Sequence, residues 1–299
     1  MHNAPPPPPK TAKKKWISLS VKLIITVLCF WYISTKIDFT GALQALLLAN
    51  WLLLFPAVLL LLFSKLQSAY RLQIYFRNIN LHLPHWQNIK LYWLGMFYNL
   101  FLPGAISGDA YKVILLNKKR SAPYKKTSAA VLLDRLSGLL ALGVILAAYG
   151  ALVLAPATWA YLLVAGALLG VALFYLVIKR FFKDFLPGFW PTFIWGLGVQ
   201  LTQVVCVYFI LLSLGLPLLP HWIFIFLITS VVAVFPAALG GGLGTRELVF
   251  AEGARFFSLD PQIAVTISLL FYLSNVLCSA GGAYFIYHDP LEEKKSKGL

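Results

Sequence analysis

Charge is scarce in this 299-residue chain: Asp, Glu, Lys and Arg make up only 12% of it, 60% is hydrophobic, and the mean hydropathy is +0.79. A soluble fold of this length needs a far more charged surface, so water is excluded as the main solvent and the bilayer takes its place. Acidic residues are scarcest, ten against 25 Lys and Arg, leaving a net charge of +15. In a soluble domain that excess would suggest nucleic acid. Here the basic residues cluster between apolar segments, as topology signals do, so no nucleic-acid partner is expected.

Cysteine is nearly absent. Cys29, Cys206 and Cys278 each sit inside an apolar run, at no spacing that suggests a disulfide framework or a zinc site. His85 and His221 follow proline and precede tryptophan, which fits an aromatic belt better than metal ligation. Also missing are a Ser-His-Asp order, HExxH, Walker A or GxSxG in suitable context. No catalytic residue, metal or cofactor is therefore assigned.

Apolar runs are what the chain has in abundance. Runs of about 20 residues, enough to span the hydrocarbon core, occupy 16–35, 51–70, 127–154, 159–178, 190–214 and 261–287. Residues 1–15 combine five successive prolines with Lys10, Lys13, Lys14 and Lys15, a composition that predicts a disordered cytosolic tail. The run at 16–35 lacks an A-x-A-like cleavage site and predicts a retained anchor. Residues 289–299 form a second charged tail.

Two further apolar stretches, 86–108 and 222–243, are irregular. Both open with Leu-Pro-His-Trp, at 83–86 and 219–222, and both run into Pro and Gly, as FLPGAISGDAYK and FPAALGGGLGTRE. A continuous helix would not carry Pro103 and Gly104, or Pro236 and Gly240, because hydrocarbon cannot replace the backbone hydrogen bonds they break. Each stretch is read as a re-entrant or broken helix. The predicted fold is all-α, a polytopic transmembrane helix bundle with an inverted-topology repeat: unit one spans 16–154 and unit two 155–288. Three crossings per unit place both termini and most basic residues in the cytosol, as the positive-inside rule prefers; an alternative count, with 222–239 as a full crossing, exports the lysine tail.

Discontinuous helices present unpaired backbone groups and dipole ends at membrane depth, where ions and phosphates bind. The first candidate set is Asn99, Gly104, Gly108, Asp109 and Lys112; the second is Gly241, Gly242, Gly244, Arg246 and Glu247, where a helix restarts at Thr245. The competing reading makes the glycines plain turns and the charges interfacial. Asp134-Arg135 lies early in an apolar run, so it either faces a partner or cavity or snorkels as a helix-end pair. Gln67 and Arg71, at i and i+4, either add a phosphate-binding arm or close a helix end. Asn275 and Tyr272 fit interhelical hydrogen bonding better than a polar path.

In these residues the chain resembles the lysylphosphatidylglycerol synthase transmembrane-region family. That group includes uncharacterised inner-membrane proteins and the flippase half of the multiple peptide resistance factor. The resemblance rests on the Arg71 region, NLFLPGAISGDAYK from Asn99, LLDRLSGLLAL from Leu132, and GGGLGTRE from Gly240. It implies a flippase-like membrane part; the separate aminoacyltransferase domain of synthase members is not expected in a chain ending at Leu299. The expected function is a plasma-membrane flippase or transporter of an anionic phospholipid or lipid-linked substrate. Two alternatives stand beside it: a membrane-embedded transferase using Asp109 or Asp134 as base, and a non-catalytic assembly partner for envelope lipid or glycan enzymes.

Overall fold

A computed structural model describes residues 49–101, 107–233 and 245–292, together with Gln44 and Leu47. Among these residues every regular element is helical. In chain order they are α1 (Trp51–Asn78), α2 (His85–Phe101), α3 (Ser107–Arg120), α4 (Tyr124–Val153) and α5 (Ala157–Phe181). A 3-10 turn (Lys183–Gly188) leads into α6 (Phe189–Ser213), followed by α7 (Pro220–Ala233), α8 (Thr245–Phe256) and α9 (Pro261–Ala280). The chain then passes through a 3-10 turn (Gly281–Ala283) into α10 (Tyr284–Tyr287).

Five of these segments are long and apolar enough to cross a membrane: α1, α4, α5, α6 with its preceding turn, and α9 with its continuation to Tyr287. They coincide with five of the six predicted runs. The sixth run, 16–35, the tail 1–15 and residues 293–299 lie outside the described residues. The first of the five is longer than its apolar run: α1 continues eight residues past Tyr70 to Asn78, which carries Arg71 inside the helix.

Helix ends follow ordinary capping chemistry. Asn50 caps α1 by accepting from the Leu52 amide, and Asp260 caps α9 by accepting from the Gln262 amide at 2.7 Å, with Pro261 at the first helical position. In α3, Asp109 stands in the first turn and Lys118, Lys119 and Arg120 in the last, each sign opposing the helix dipole. Only Ala160 and Ile178 of α5 are buried. A helix this apolar and this exposed has lipid as its natural solvent.

The helix that opens each irregular stretch packs against the helix that follows it, α2 against α3 and α7 against α8. In the first, Ser107 Oγ donates to the Tyr98 carbonyl at 2.8 Å, and a Cβ added at Gly108 would collide with the Gly95 carbonyl. A Cβ at Gly95 would in turn meet the Lys112 side chain. Contacts that climb α3 while descending α2 define an antiparallel hairpin, and glycine at both crossing positions lets the two backbones touch. In the second, Gly253 of α8 lies against Ile225 of α7, while Phe257 packs on Phe224 and His221. The order is again antiparallel. The joining residues 102–106 and 234–244 lie outside the described residues, and with them Gly104, Gly241, Gly242 and Gly244.

The two hairpins share their backbone punctuation. Among the described residues the left-handed positions are Asn80 (φ 59°), Ser121 (φ 51°), Gly215 (φ 68°) and Ser258 (φ 54°). Asn80 and Gly215 precede the Leu-Pro-His-Trp openings; Ser121 and Ser258 follow the ends of α3 and α8. Leu81, Leu216 and Leu259 each return an amide to the carbonyl five residues earlier, a Schellman-type closure.

The packing has two main centres. One joins α1, α4, α6, α7, α8 and α9 through residues such as Leu61, Leu142, Ile210, Phe226, Phe250 and Ile267. The other joins the later half of α1 to α2, α3 and the starts of α4 and α6, through Leu72, Phe76, Leu91, Leu116, Leu133 and Phe189. In α1 the first centre ends at Leu61 and the second begins at Leu72, and the polar side chains fall between them.

Candidate functional site

Between the two centres α1 turns a polar stripe inward: Ser64, Ser68 and Arg71 are buried at helical spacing. A charge at bilayer depth costs at least about 2.5 kcal/mol, so each needs a partner or a cavity. Arg71 Nε donates to Asp134 Oδ1 of α4 at 2.8 Å, both side chains being buried. Gly138, one turn beyond Asp134, leaves room for the guanidinium: a Cβ there would sit 2.8 Å from Arg71 Nη1.

A second carboxylate collects the remaining cations of this side. Asp109, in the first turn of α3, accepts from Lys112 Nζ at 2.9 Å through Oδ1 and from Arg135 Nε through Oδ2. Asn99 Nδ2 reaches the same Oδ1 at 3.4 Å, while Asn99 Oδ1 accepts from the Gly108 amide at 2.8 Å and so ties the end of α2 to the start of α3. The Lys112 ammonium also lies 4.5 Å from the centre of the Tyr92 ring. Of the residues singled out from sequence, Arg71 pairs with Asp134, and Asn99, Gly108, Asp109, Lys112 and Arg135 form a second hydrogen-bonded group, the two meeting where Asp134 and Arg135 are neighbours on α4.

Arg246 and Glu247 open α8 on the other hairpin. Arg246 is only 7% exposed, its guanidinium lies 5.0 Å from the Phe271 ring centre, and its buried Nε and Nη2 have no hydrogen-bond partner among the described residues. Glu247 accepts from Ser268 Oγ of α9 at 3.1 Å. Gln67 is engaged away from Arg71, accepting from Thr202 of α6 at 3.1 Å.

The two sides meet at a cavity of about 340 Å³, within the range of small-ligand sites. Its polar lining includes Lys65, Asn99, Arg135, Gln200, Arg246 and Asn275, which come from six different helices, with Phe271 and Leu142 among the apolar walls. Three of those side chains are basic, and among the described residues none of the lining is Asp or Glu. Gln200 spans toward α4, donating to the Gly138 carbonyl at 3.4 Å, and leaves its own Oε1 buried without a partner.

Sequence reasoning passed over Lys65, Gln200 and Gln203 as cavity residues. The signal was available for Lys65: an ionisable side chain in the middle of a spanning run is a site candidate in its own right. His85 and His221 pack against aromatic rings, Tyr70 at 5.4 Å and Phe257 at 4.9 Å between centres.

No curated protein and no solved structure shows a significant match to the chain. The sequence profile described as the lysylphosphatidylglycerol synthase transmembrane region matches residues 19–282, which takes in α1 to α9. The chain is therefore a membrane protein that belongs to the lysylphosphatidylglycerol synthase transmembrane-region family.

Proposed function

We propose that the protein is a flippase or carrier that takes the anionic headgroup of a lipid, or of a lipid-linked substrate, across the cell membrane. The observation that carries this reading is the cavity lined by Lys65, Arg135 and Arg246, with no acidic side chain in its lining among the described residues. In a low-dielectric setting such a lining repels cations and favours an anion strongly. The acyl chains would remain in lipid while the headgroup crosses.

The matching left-handed residues that bracket each hairpin support an internal repeat, and the reading makes that repeat inverted, with the N-terminus in the cytosol. The α2–α3 hairpin then enters from the cytosolic face and the α7–α8 hairpin from the outer face. Alternating access follows if each hairpin gates one leaflet while the spanning helices hold the cavity fixed.

A transferase with Asp109 or Asp134 as base fits less well. Each carboxylate is already engaged by at least one cation, Asp109 by two, so neither is free to take a proton from a substrate hydroxyl without first giving up an ion pair.

Leaflet exchange of a fluorescent anionic lipid in liposomes containing the purified chain tests the proposal. Wild-type protein should accelerate exchange over empty liposomes, and Arg135→Ala and Arg246→Ala should slow it. Exchange no faster than in empty liposomes rules out the flippase reading; turnover of a labelled donor by the same preparation would replace it with the transferase.

A further inference from the structure

The charges around the cavity do not balance. Among the described residues, Lys65, Arg71, Lys112, Arg135 and Arg246 supply five positive charges, against three negative charges from Asp109, Asp134 and Glu247. The joining stretches 102–106 and 234–244 contain no charged residue in sequence, so they cannot supply the difference. Among the described residues, basic side chains thus outnumber acidic ones by two at membrane depth. Leaving that excess bare is costly, and nothing in packing alone calls for it.

The excess is localised. Arg71, Lys112 and Arg135 are each bonded to a carboxylate, whereas Lys65 makes no ion pair among the described residues. Arg246 keeps two N–H groups buried and unpartnered while its side chain lines the cavity. It also stands in the first turn of α8, a 12-residue helix whose N-terminal amides add positive potential at the same point.

We propose that Lys65 and Arg246 form a subsite for a dianionic phosphate group, a phosphomonoester or a pyrophosphate, in preference to the singly charged phosphodiester of an ordinary phospholipid. A phosphomonoester carries close to two negative charges at neutral pH, and its three terminal oxygens accept the hydrogen bonds that the Arg246 guanidinium lacks. Asn99, Gln200 and Asn275 line the remaining polar wall and suit neutral oxygens of the headgroup.

This inference deepens the carrier reading and rests on it for the lipid tail. The test is equilibrium binding to the full chain in phosphatidylcholine nanodiscs, using fluorescent phosphatidic acid, fluorescent phosphatidylglycerol and inorganic pyrophosphate as probes. Phosphatidic acid should bind about tenfold or more tightly than phosphatidylglycerol, the scale of one charge-assisted hydrogen bond. Arg246→Gln and Lys65→Met should each reduce that preference by a similar factor, and Arg246→Lys should retain much of it. Equal affinity of wild type for the two lipids overturns the proposal, as does unchanged preference in both variants.

Removing an unpaired buried cation should not lower the thermal midpoint of Arg246→Gln, and the wild-type comparison needs no variant at all. Pyrophosphate that competes at the same concentration as phosphatidic acid upholds the charge class and assigns it to a soluble phosphorylated ligand. Failure to compete upholds it for a lipid. Selective binding without leaflet exchange sinks transport alone, and exchange without selectivity sinks this inference alone.

Discussion

Arg71 and Asp134 form an ion pair of 2.8 Å with side chains 7% and 9% exposed, joining the middle of α1 to α4 at the boundary between the two packing centres. A pair this deep owes its stability to being complete. Asp134→Ala strands a buried guanidinium whose Nη1 already lacks a partner, and should cost about 3–5 kcal/mol. Arg71→Met combined with Asp134→Leu should recover most of that loss. Denaturation followed by tryptophan fluorescence in detergent checks both; a double variant no better than the single one would refute the account. Lys126→Ala is the contrast: its partner Asp184 and Lys126 itself are about half exposed, and loss of that pair should change stability by less than about 1 kcal/mol.

The α2–α3 hairpin depends on glycine at its crossing. Gly108→Ala drives a methyl group into the Gly95 backbone, which cannot move aside as a flexible side chain would. Stability should fall by roughly 1–3 kcal/mol, the cost of overpacking a close contact. Gly143→Ala sits in the interior of α4 with nothing within 4 Å of the new Cβ, and should be neutral or stabilising by up to about 1 kcal/mol. Parallel unfolding curves decide the comparison.

An inverted repeat places the bases of the two hairpins on opposite faces. Ser121 and Ser258 are exposed, at equivalent left-handed positions after α3 and α8. Ser121→Cys should react with a membrane-impermeant maleimide from the cytosolic side and Ser258→Cys from the outer side, in a background lacking the native cysteines. Labelling of both from one side would show that the two units are parallel.

The C-terminal turn is tied to α3 by a titratable contact. Burial pushes the Asp289 carboxyl upward, but the Lys119 ammonium at 2.7 Å and the Leu291 amide at 3.0 Å prevail and hold it below the usual carboxylate range. A folded-state value that is depressed stabilises above the unfolded value of about 3.9 and loses that contribution as pH falls through the folded one. Protection of the Leu291 amide in hydrogen exchange, corrected for intrinsic rates, should therefore drop on acidification below about pH 4. In Asp289→Ala, which removes the acceptor, protection should be low throughout and independent of pH.

Much of the architecture was legible in the chain itself. The runs that became α1, α4, α5, α6 and α9 are apolar over the length a bilayer demands, and that length criterion does not depend on which helix neighbours which. The Pro and Gly residues of 86–108 and 222–243 were equally visible, since they interrupt backbone pairing locally. Element ends were less so: α1 continues past its apolar run because Arg71, Gln73 and Arg77 fall within or beside packed protein and the helix needs no lipid there.

Which charges pair with which was decided only by the tertiary structure. Arg71 and Asp134 are 63 residues apart, and Asp109 and Arg135 are 26 apart. Sequence spacing carries no information at such separations, because helix packing sets those distances. The same holds for the cavity: Lys65, Gln200 and Arg246 are scattered along three helices, and only their convergence on one space leaves cations facing it without carboxylates. Composition and periodicity determined that this is a membrane helix bundle, since solvent and backbone hydrogen bonding act locally. Where its uncompensated charge resides depended on three-dimensional neighbours, since electrostatic partners are chosen by proximity in space.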